Sequence, residues 1–241
     1  IMAVSIDTVY QKVLAIANKE QRGYITPQEF NLFADQAQMD IFEQYFYDIN
    51  QFGRVPGNDT EYSDMLTLLE EKISVFEKFK VSMSDVSGNQ TILPTDVYRL
   101  GTVFYAAGSF DVEVEKVGKK ELEYMLRTSL AAPVASRPVY VRKSNTLLKV
   151  FPASPSVSYT TGNVTCNYIA KPATPKWTYT VVVNKALFNS TTDTQNFELH
   201  ESEEEKLVIK ILQLAGVAIK DTLLIQTASA AESSNVQQEK Q

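Results

Sequence analysis

The chain has 241 residues, 44% of them hydrophobic and 22% charged, an ordinary globular composition that makes one or two domains with a core large enough to need neither disulfide nor metal. Its net charge is -6 and its pI about 5.0, and no block of Lys and Arg is present to neutralise phosphates, which excludes tight, sequence-specific nucleic-acid binding but leaves an acidic wall along which a duplex slides. The single cysteine, Cys166, excludes an intrachain disulfide; with no cationic-then-apolar leader and no run of about 18 apolar residues, the expectation is a soluble chain made in a reducing cytoplasm, without a membrane partner, and with Met2 as its natural start.

The first third reads as helix. Ile6, Val9, Val13 and Ile16 recur at three- and four-residue spacing behind Ser5 as N-cap, with Gly23 as the stop. In Thr26-Pro27-Gln28-Glu29, Thr26 caps, Pro27 fits the first helical position and Glu29 reaches back to close a capping box. The stripe behind it is Phe30, Phe33, Ala37, Ile41, Tyr45 and Ile49, ending near Gly53, a helix of about 25 residues. After a loop with Pro56 and Gly57, Asp59 caps a third helix carrying Tyr62, Met65, Leu66, Leu69, Ile73 and Phe76.

Around Phe79 the apolar period changes from 3.6 to 2. Phe110, Val112 and Val114 alternate with acids, and Val164, Cys166 and Tyr168 alternate with Thr165, Asn167 and Ile169. Residues 139–141 and 147–151 read as strands joined by the turn Lys143-Ser144-Asn145, and 119–128 as a short helix. Seven of the nine prolines lie between Pro94 and Pro175, as suits a β-rich domain with many turns. Ser202-Glu203-Glu204-Glu205 then predicts a second capping box with carboxylates matched to the helix dipole. Leu207, Val208, Ile211, Leu212 and Ala215 form that helix's buried face, and Asp221 caps a last short helix through Leu224. The polar end, 231–241, is expected to stay disordered in an isolated subunit.

The fold class expected is α+β. An N-terminal helical bundle (1–78) is completed by returning C-terminal helices (199–230), with a β-rich insert (79–198) and a polar tail (231–241). The economical assembly sets the final helix against the first three, with the β domain projecting.

Catalytic chemistry finds no foothold in the pattern. His200 is the one histidine, so any Ser-His-Asp or Cys-His pair has to use it; just before an acidic helix start it reads as a cap or a solvated side chain. One Cys and one His do not make a zinc site, and the 9 glycines form no phosphate-cradling loop. Cys166 reads as a core residue. Paired acids suffice for a glycosidase, but Glu201, Glu203, Glu204 and Glu205 read as a dipole-matched, solvated face and Glu113 with Glu115 as the polar face of a strand. Four sequons, at Asn58, Asn89, Asn163 and Asn189, read as chance without a secretion signal. No enzyme activity, cofactor or metal is expected.

Three stretches carry a resemblance. They are Leu93-Pro94-Thr95-Asp96-Val97-Tyr98-Arg99 with a strand-like 102–105; Tyr168-Ile169-Ala170-Lys171-Pro172-Ala173-Thr174-Pro175-Lys176-Trp177; and Phe197-Glu198-Leu199-His200-Glu201-Ser202-Glu203, followed by the tail Gln237-Gln238-Glu239-Lys240. In this order, after three helices, the chain resembles the head–tail connector (adaptor, tail tubular or ring) proteins of short-tailed, crAss-like and related marine bacteriophages. The resemblance implies a non-catalytic virion protein at the head–tail junction, assembled in the host bacterial cytoplasm. It implies a ring, commonly of twelve copies, whose partners are itself, the portal protein, the next tail or nozzle protein, and DNA passing through the lumen without sequence-specific binding. It also implies a C-terminal tail that reaches the portal, which makes Leu223, Leu224, Gln237 and Gln238 candidate interface residues.

Three more candidate interface residues suit that picture. The two prolines of Pro172-Ala173-Thr174-Pro175 stiffen a strut, and Trp177 beside it anchors a neighbouring domain or subunit or else fills the β core. Tyr98 and Arg99 lie at an interface or form an ordinary half-exposed strand pair, and Leu93-Pro94 sets the start of that strand. The competing readings are a nozzle or hub ring farther down the tail, a tail-borne wall hydrolase working through two acids, and a β-domain binding module outside phages.

Overall fold

The first two helices start where their capping residues put them. In the computed structural model, α1 (Ile6–Lys19) opens with the Thr8 N–H donating to Ser5 Oγ at 3.4 Å and the Val9 N–H to the Ser5 carbonyl at 3.2 Å. Helix α2 (Pro27–Phe52) opens with the expected reciprocal box: the Thr26 N–H donates to Glu29 Oε2 at 2.9 Å and the Glu29 N–H to Thr26 Oγ1 at 3.3 Å. The Thr26 hydroxyl also donates to Glu29 Oε2 at 2.7 Å, and these bonds hold the Glu29 carboxyl below its ordinary pKa. The described residues are 4–19, 25–52, 60–86, 89–106, 110–152, 163–183, 185–191, 193–218 and 230, the side chains of 18, 19, 51, 52, 60–66, 217 and 218 excepted. Gly23, Gly53, Pro56, Gly57, Asp59, Asp221, 222–229 and 231–241 lie outside them.

The chain is mixed α and β and forms two compact units: Ile1–Val75 with Pro172–Gln241, and Phe76–Lys171. In the first, α3 (Thr60–Ser74) packs on α2, and the last helix packs on both α1 and α2. Ile6, Val9 and Val13 are buried as predicted, but Ile16 is 41% exposed and Tyr10 and Ala17 are buried instead. Ten residues past Ile6 an α-helix has rotated about 80° off the buried face, whereas eleven residues past it has come back to within about 20°. On α2, Phe30, Ala37, Ile41 and Tyr45 are buried, joined by Ala34, Gln38, Phe42 and Asp48, while Phe33 and Ile49 are half-buried. Ile73 of α3 is buried and Leu69 half-buried; the side chains of Tyr62, Met65 and Leu66 lie outside the described ones.

Among the described residues the second unit holds an eight-stranded sheet. Its elements are β1 (Glu77–Ser82), β2 (Ser84–Val86), β3 (Gln90–Ile92), β4 (Val97–Ala106), β5 (Asp111–Lys116), α4 (Lys119–Arg127), β6 (Val139–Arg142), β7 (Leu147–Phe151) and β8 (Val164–Ala170). The strand order is β1-β8-β4-β5-β6-β7-β3-β2. The β5–β6 pair is parallel and its connection carries α4, as a parallel pair requires a crossover; the other neighbours are antiparallel. Strict alternation on β8 turns Val164, Cys166, Tyr168 and Ala170 into a core with Val103, Val114, Tyr140, Leu148 and Val150. On the opposite face Val139, Val141 and Phe151 pack with Leu122 of α4 and Val117. Phe110, predicted as the first inward residue of β5, is 67% exposed and precedes the strand.

The second boundary of the β-rich segment differs from the expected 198, and the first falls at Phe76 rather than 79. From Pro172 onward the chain belongs with the helices, because its buried groups have their partners there. Trp177 is 2% exposed, with its ring 4.2 Å from that of Tyr10 and its indole N–H donating to Asp7 Oδ1 at 2.9 Å. Asn31 clamps the Trp177 backbone, its Nδ2 donating to the carbonyl at 3.2 Å and its Oδ1 accepting from the N–H at 2.8 Å. Gln38 Nε2 donates to the Ala173 carbonyl at 2.8 Å and Gln38 Oε1 accepts from the Glu198 N–H at 3.1 Å, while Glu198 Oε2 accepts from the Ala173 N–H at 2.8 Å. A hairpin of β9 (Tyr179–Val182) and β10 (Lys185–Phe188) follows. Tyr179 and Phe188, opposite each other in it, both stack on Trp177.

The last helix, α5 (Glu204–Ala218), buries Leu207, Val208, Ile211, Leu212 and Ala215 as predicted, but its start differs. His200 is the cap: its Nδ1 accepts from the Ser202 N–H at 3.3 Å and opens a 3-10 turn, Glu201–Glu203. Glu203 is no part of a solvated face. It is 1% exposed, with Oε1 2.6 Å from Lys72 Nζ of α3 and Oε2 3.8 Å from Lys206 Nζ. Two cations make that burial tolerable, where an unpaired carboxylate is not. Turned inward to reach them, Glu203 leaves the first turn of α5 to Glu204 and Glu205.

The clamp generates a stability prediction. Asn31→Ala leaves the N–H and carbonyl of buried Trp177 without partners, so urea or thermal unfolding is expected to show a loss of about 2 kcal/mol. An unchanged midpoint would mean that the segment is held by its rings alone.

Candidate functional site

The sheet unit has a crevice where the pairing of β4 with β5 ends. Strand β5 pairs with β4 through Val103–Val114 to Ala106–Asp111, and then pairs its other edge with β6 at Glu115–Val139 and Lys116–Tyr140. The first half of β4, ahead of Val103, is not paired with β5. It is also irregular against β8, with register shifts between Val97 and Arg99 and between Leu100 and Val103. Gly101 lies within the second irregularity, where a Cβ would stand 3.0 Å from the Asn167 carbonyl oxygen, so glycine permits this approach of the two backbones.

The crevice has a volume of about 420 Å³, with Tyr98, Arg99 and Thr102 on one wall, Tyr140 and Arg142 on the other, and Glu113, Val114 and Lys116 of β5 between them. Arg142 is held in place: its Nη2 donates to the Asn145 carbonyl at 2.8 Å and to Asn145 Oδ1 at 3.1 Å, and its Nε to the Ser144 carbonyl at 3.3 Å. Tyr140 is 5% exposed, and its burial raises the phenol pKa against the opposing pull of Arg142. A second hollow, of about 310 Å³, shares the wall Arg99–Thr102 and is closed by β1 and β8. There Tyr168 OH donates to the Asp96 carboxylate, at 3.0 Å from Oδ1 and 3.2 Å from Oδ2. Burial, then that bond and the Asp96 charge, push the Tyr168 phenol up to about 12. Burial likewise pushes Cys166 up to about 11, an unreactive thiol.

The predicted interface residues scatter. Tyr98 and Arg99 are exposed on β4 and line the crevice together. Trp177 belongs to the other unit and is buried there, so it offers a partner nothing; nor does it fill the β core, since its contacts are Tyr10, Asp7, Asn31 and the hairpin. Leu223, Leu224, Gln237 and Gln238 lie outside the described residues. Lys116, Tyr140 and Arg142 went unread in the sequence because they join Arg99 only through the β5–β6 pairing. Among the described residues no group of three or more His, Cys, Asp or Glu side chains is placed to hold a metal ion, and no helix is long and apolar enough to cross a membrane. No family model matches the sequence. No curated protein matches it either.

Tyr168 supplies a pH prediction. Its folded pKa lies above the ordinary value of 10.0, so its contribution to stability is complete below pH 10 and is lost as pH rises through about 12. Spectrophotometric titration of tyrosinate, wild type against Tyr168→Phe, is expected to show the missing residue titrating near 12, and Asp96→Asn to bring it down. A missing step at 10 would contradict the Asp96 bond.

Proposed function

We propose that the chain is a structural, non-catalytic subunit of a bacteriophage head-to-tail connector ring, joining portal to tail and bounding the DNA channel. The observation that carries this reading is where the resembling stretches fall. Pro172 to Trp177 and Phe197 to Glu203 are the segments whose backbone and side chains bind α1, α2 and α3 through Asp7, Asn31, Gln38 and Lys72, and Val4 just ahead of α1. In this reading the helices form a bundle closed by α5 and carrying a β-rich insert, the arrangement that the resemblance implies. The ring is a homo-oligomer, commonly a dodecamer, docked on the portal above and a nozzle component below, and the protein resides in the virion. The net charge of -6 suits a channel that lets DNA slide.

A surface for ring neighbours is at hand. The hairpin face turned from Trp177 bears Val182 and Leu187, 50% and 51% exposed, and its tip bears Val183 at 90%. Apolar side chains gathered on a two-stranded ribbon mark a contact surface. Mass photometry of the full chain, alone and mixed with portal rings, tests this. A ring or portal-templated assembly is expected, and the Val182→Glu, Leu187→Glu double variant is expected to melt like wild type yet assemble at least about tenfold more weakly. A chain that stays monomeric with portal present would overturn the connector reading; assembly with a lower tail ring alone would move it to the nozzle.

A further inference from the structure

We infer that the crevice beside β4 is a docking site for an extended polypeptide segment carrying acidic side chains. The inference stands whether or not the ring reading does, since it rests on strand pairing and charge in the sheet unit alone.

β4 is paired with β8 along one edge, while on the other edge β5 covers it only from Val103 to Ala106. Among the described residues no strand covers that second edge at Val97–Thr102, where the side chains are exposed or half-buried. An uncovered edge presents backbone N–H and C=O groups at the spacing of another strand. A single anion cannot satisfy such an alternating row of donors and acceptors, whereas a peptide backbone does. The five positions Tyr98–Thr102 span about 17 Å, room for about five residues of an added strand.

Charge selects the occupant. Arg99, Lys116 and Arg142 line the crevice against one carboxylate, Glu113, so it is locally cationic in a chain of net charge -6. Arg142 is fixed by its bonds to Ser144 and Asn145, and neither Arg99 nor Lys116 has an ion-pair partner among the described residues. Cations beside an open edge keep uncharged and basic strands off it and admit a strand of opposite charge. Side chains alternate along a strand, so acids at every second position face these cations together, while the rings of Tyr98 and Tyr140 flank the backbone.

The test uses the full chain and a fluorescein-labelled heptapeptide of alternating valine and glutamate, followed by anisotropy at low ionic strength. Saturable binding is expected. Arg99→Glu with Lys116→Glu should weaken it at least about tenfold, and the milder pair Arg99→Ala, Lys116→Ala should weaken it less. Circular dichroism melts check that both variants fold. N-methylating alternate backbone amides of the peptide should abolish binding, as should lysine in place of glutamate. Absence of saturation up to about 1 mM peptide, or binding retained by folded charge-reversed protein, overturns the proposal. So does equal binding of the N-methylated peptide, or displacement by a thymidine oligonucleotide of equal charge, either of which would make the crevice an anion or phosphate site.

Discussion

The helical unit depends on two side-chain amides, Asn31 and Gln38, that satisfy the backbone of a segment with no regular structure. Pro172 and Pro175 bring no N–H to bury. Four of the other backbone groups are matched by side chains: Ala173 N–H by Glu198, Ala173 carbonyl by Gln38, Trp177 N–H and carbonyl by Asn31. A chain that leaves the helices at Val75 and returns at Pro172 has to be caught on its return, and rings alone do not fix its register. With the backbone caught, Trp177 enters between Tyr10 and the hairpin, and Lys176 pairs with Gln195 across it. The Ile6 N–H then finds Asn196 Oδ1 and the Phe197 N–H the Val4 carbonyl, which brings the chain to His200 and α5.

In the sheet unit the governing constraint is that β5 serves two partners in succession. On one edge it pairs with β4 over Asp111–Val114 only, on the other with β6 at Glu115 and Lys116, and the crevice lies where β4 no longer has β5 as a partner. Its side chains are polar and charged because they stand at the ends of β4, β5 and β6, where the alternation that buries Val103, Val114 and Tyr140 runs out into solvent.

Much of the local chemistry was legible in the sequence. The Thr26 box, the strands 147–151 and 139–141, the alternation on β8 and the buried face of α5 all follow from neighbours a few positions apart. What escaped was long-range. Trp177 follows a β-rich run, so sequence suggests the β core or a partner, whereas Asp7 and Asn31 claim it from far up the chain. Glu203 reads as a helix-start acid, and only the approach of Lys72 turns it inward. β9 and β10 went unread because Val181, Val182 and Val183 form one apolar run without alternation. Of the candidate site, Tyr98 and Arg99 were visible; Lys116 and Arg142 needed the parallel β5–β6 pairing.

One unit is a helical body fastened through its own returning strap, and the other a sheet with an edge left open beside three cations. The connector role we propose turns on the place of the chain within the particle. The most direct measurement is cryo-electron microscopy of virions purified from the source culture, with mass spectrometry of the same particles. A ring of this chain directly beneath the portal is the result expected. A chain abundant in infected cells yet absent from the particles would contradict it.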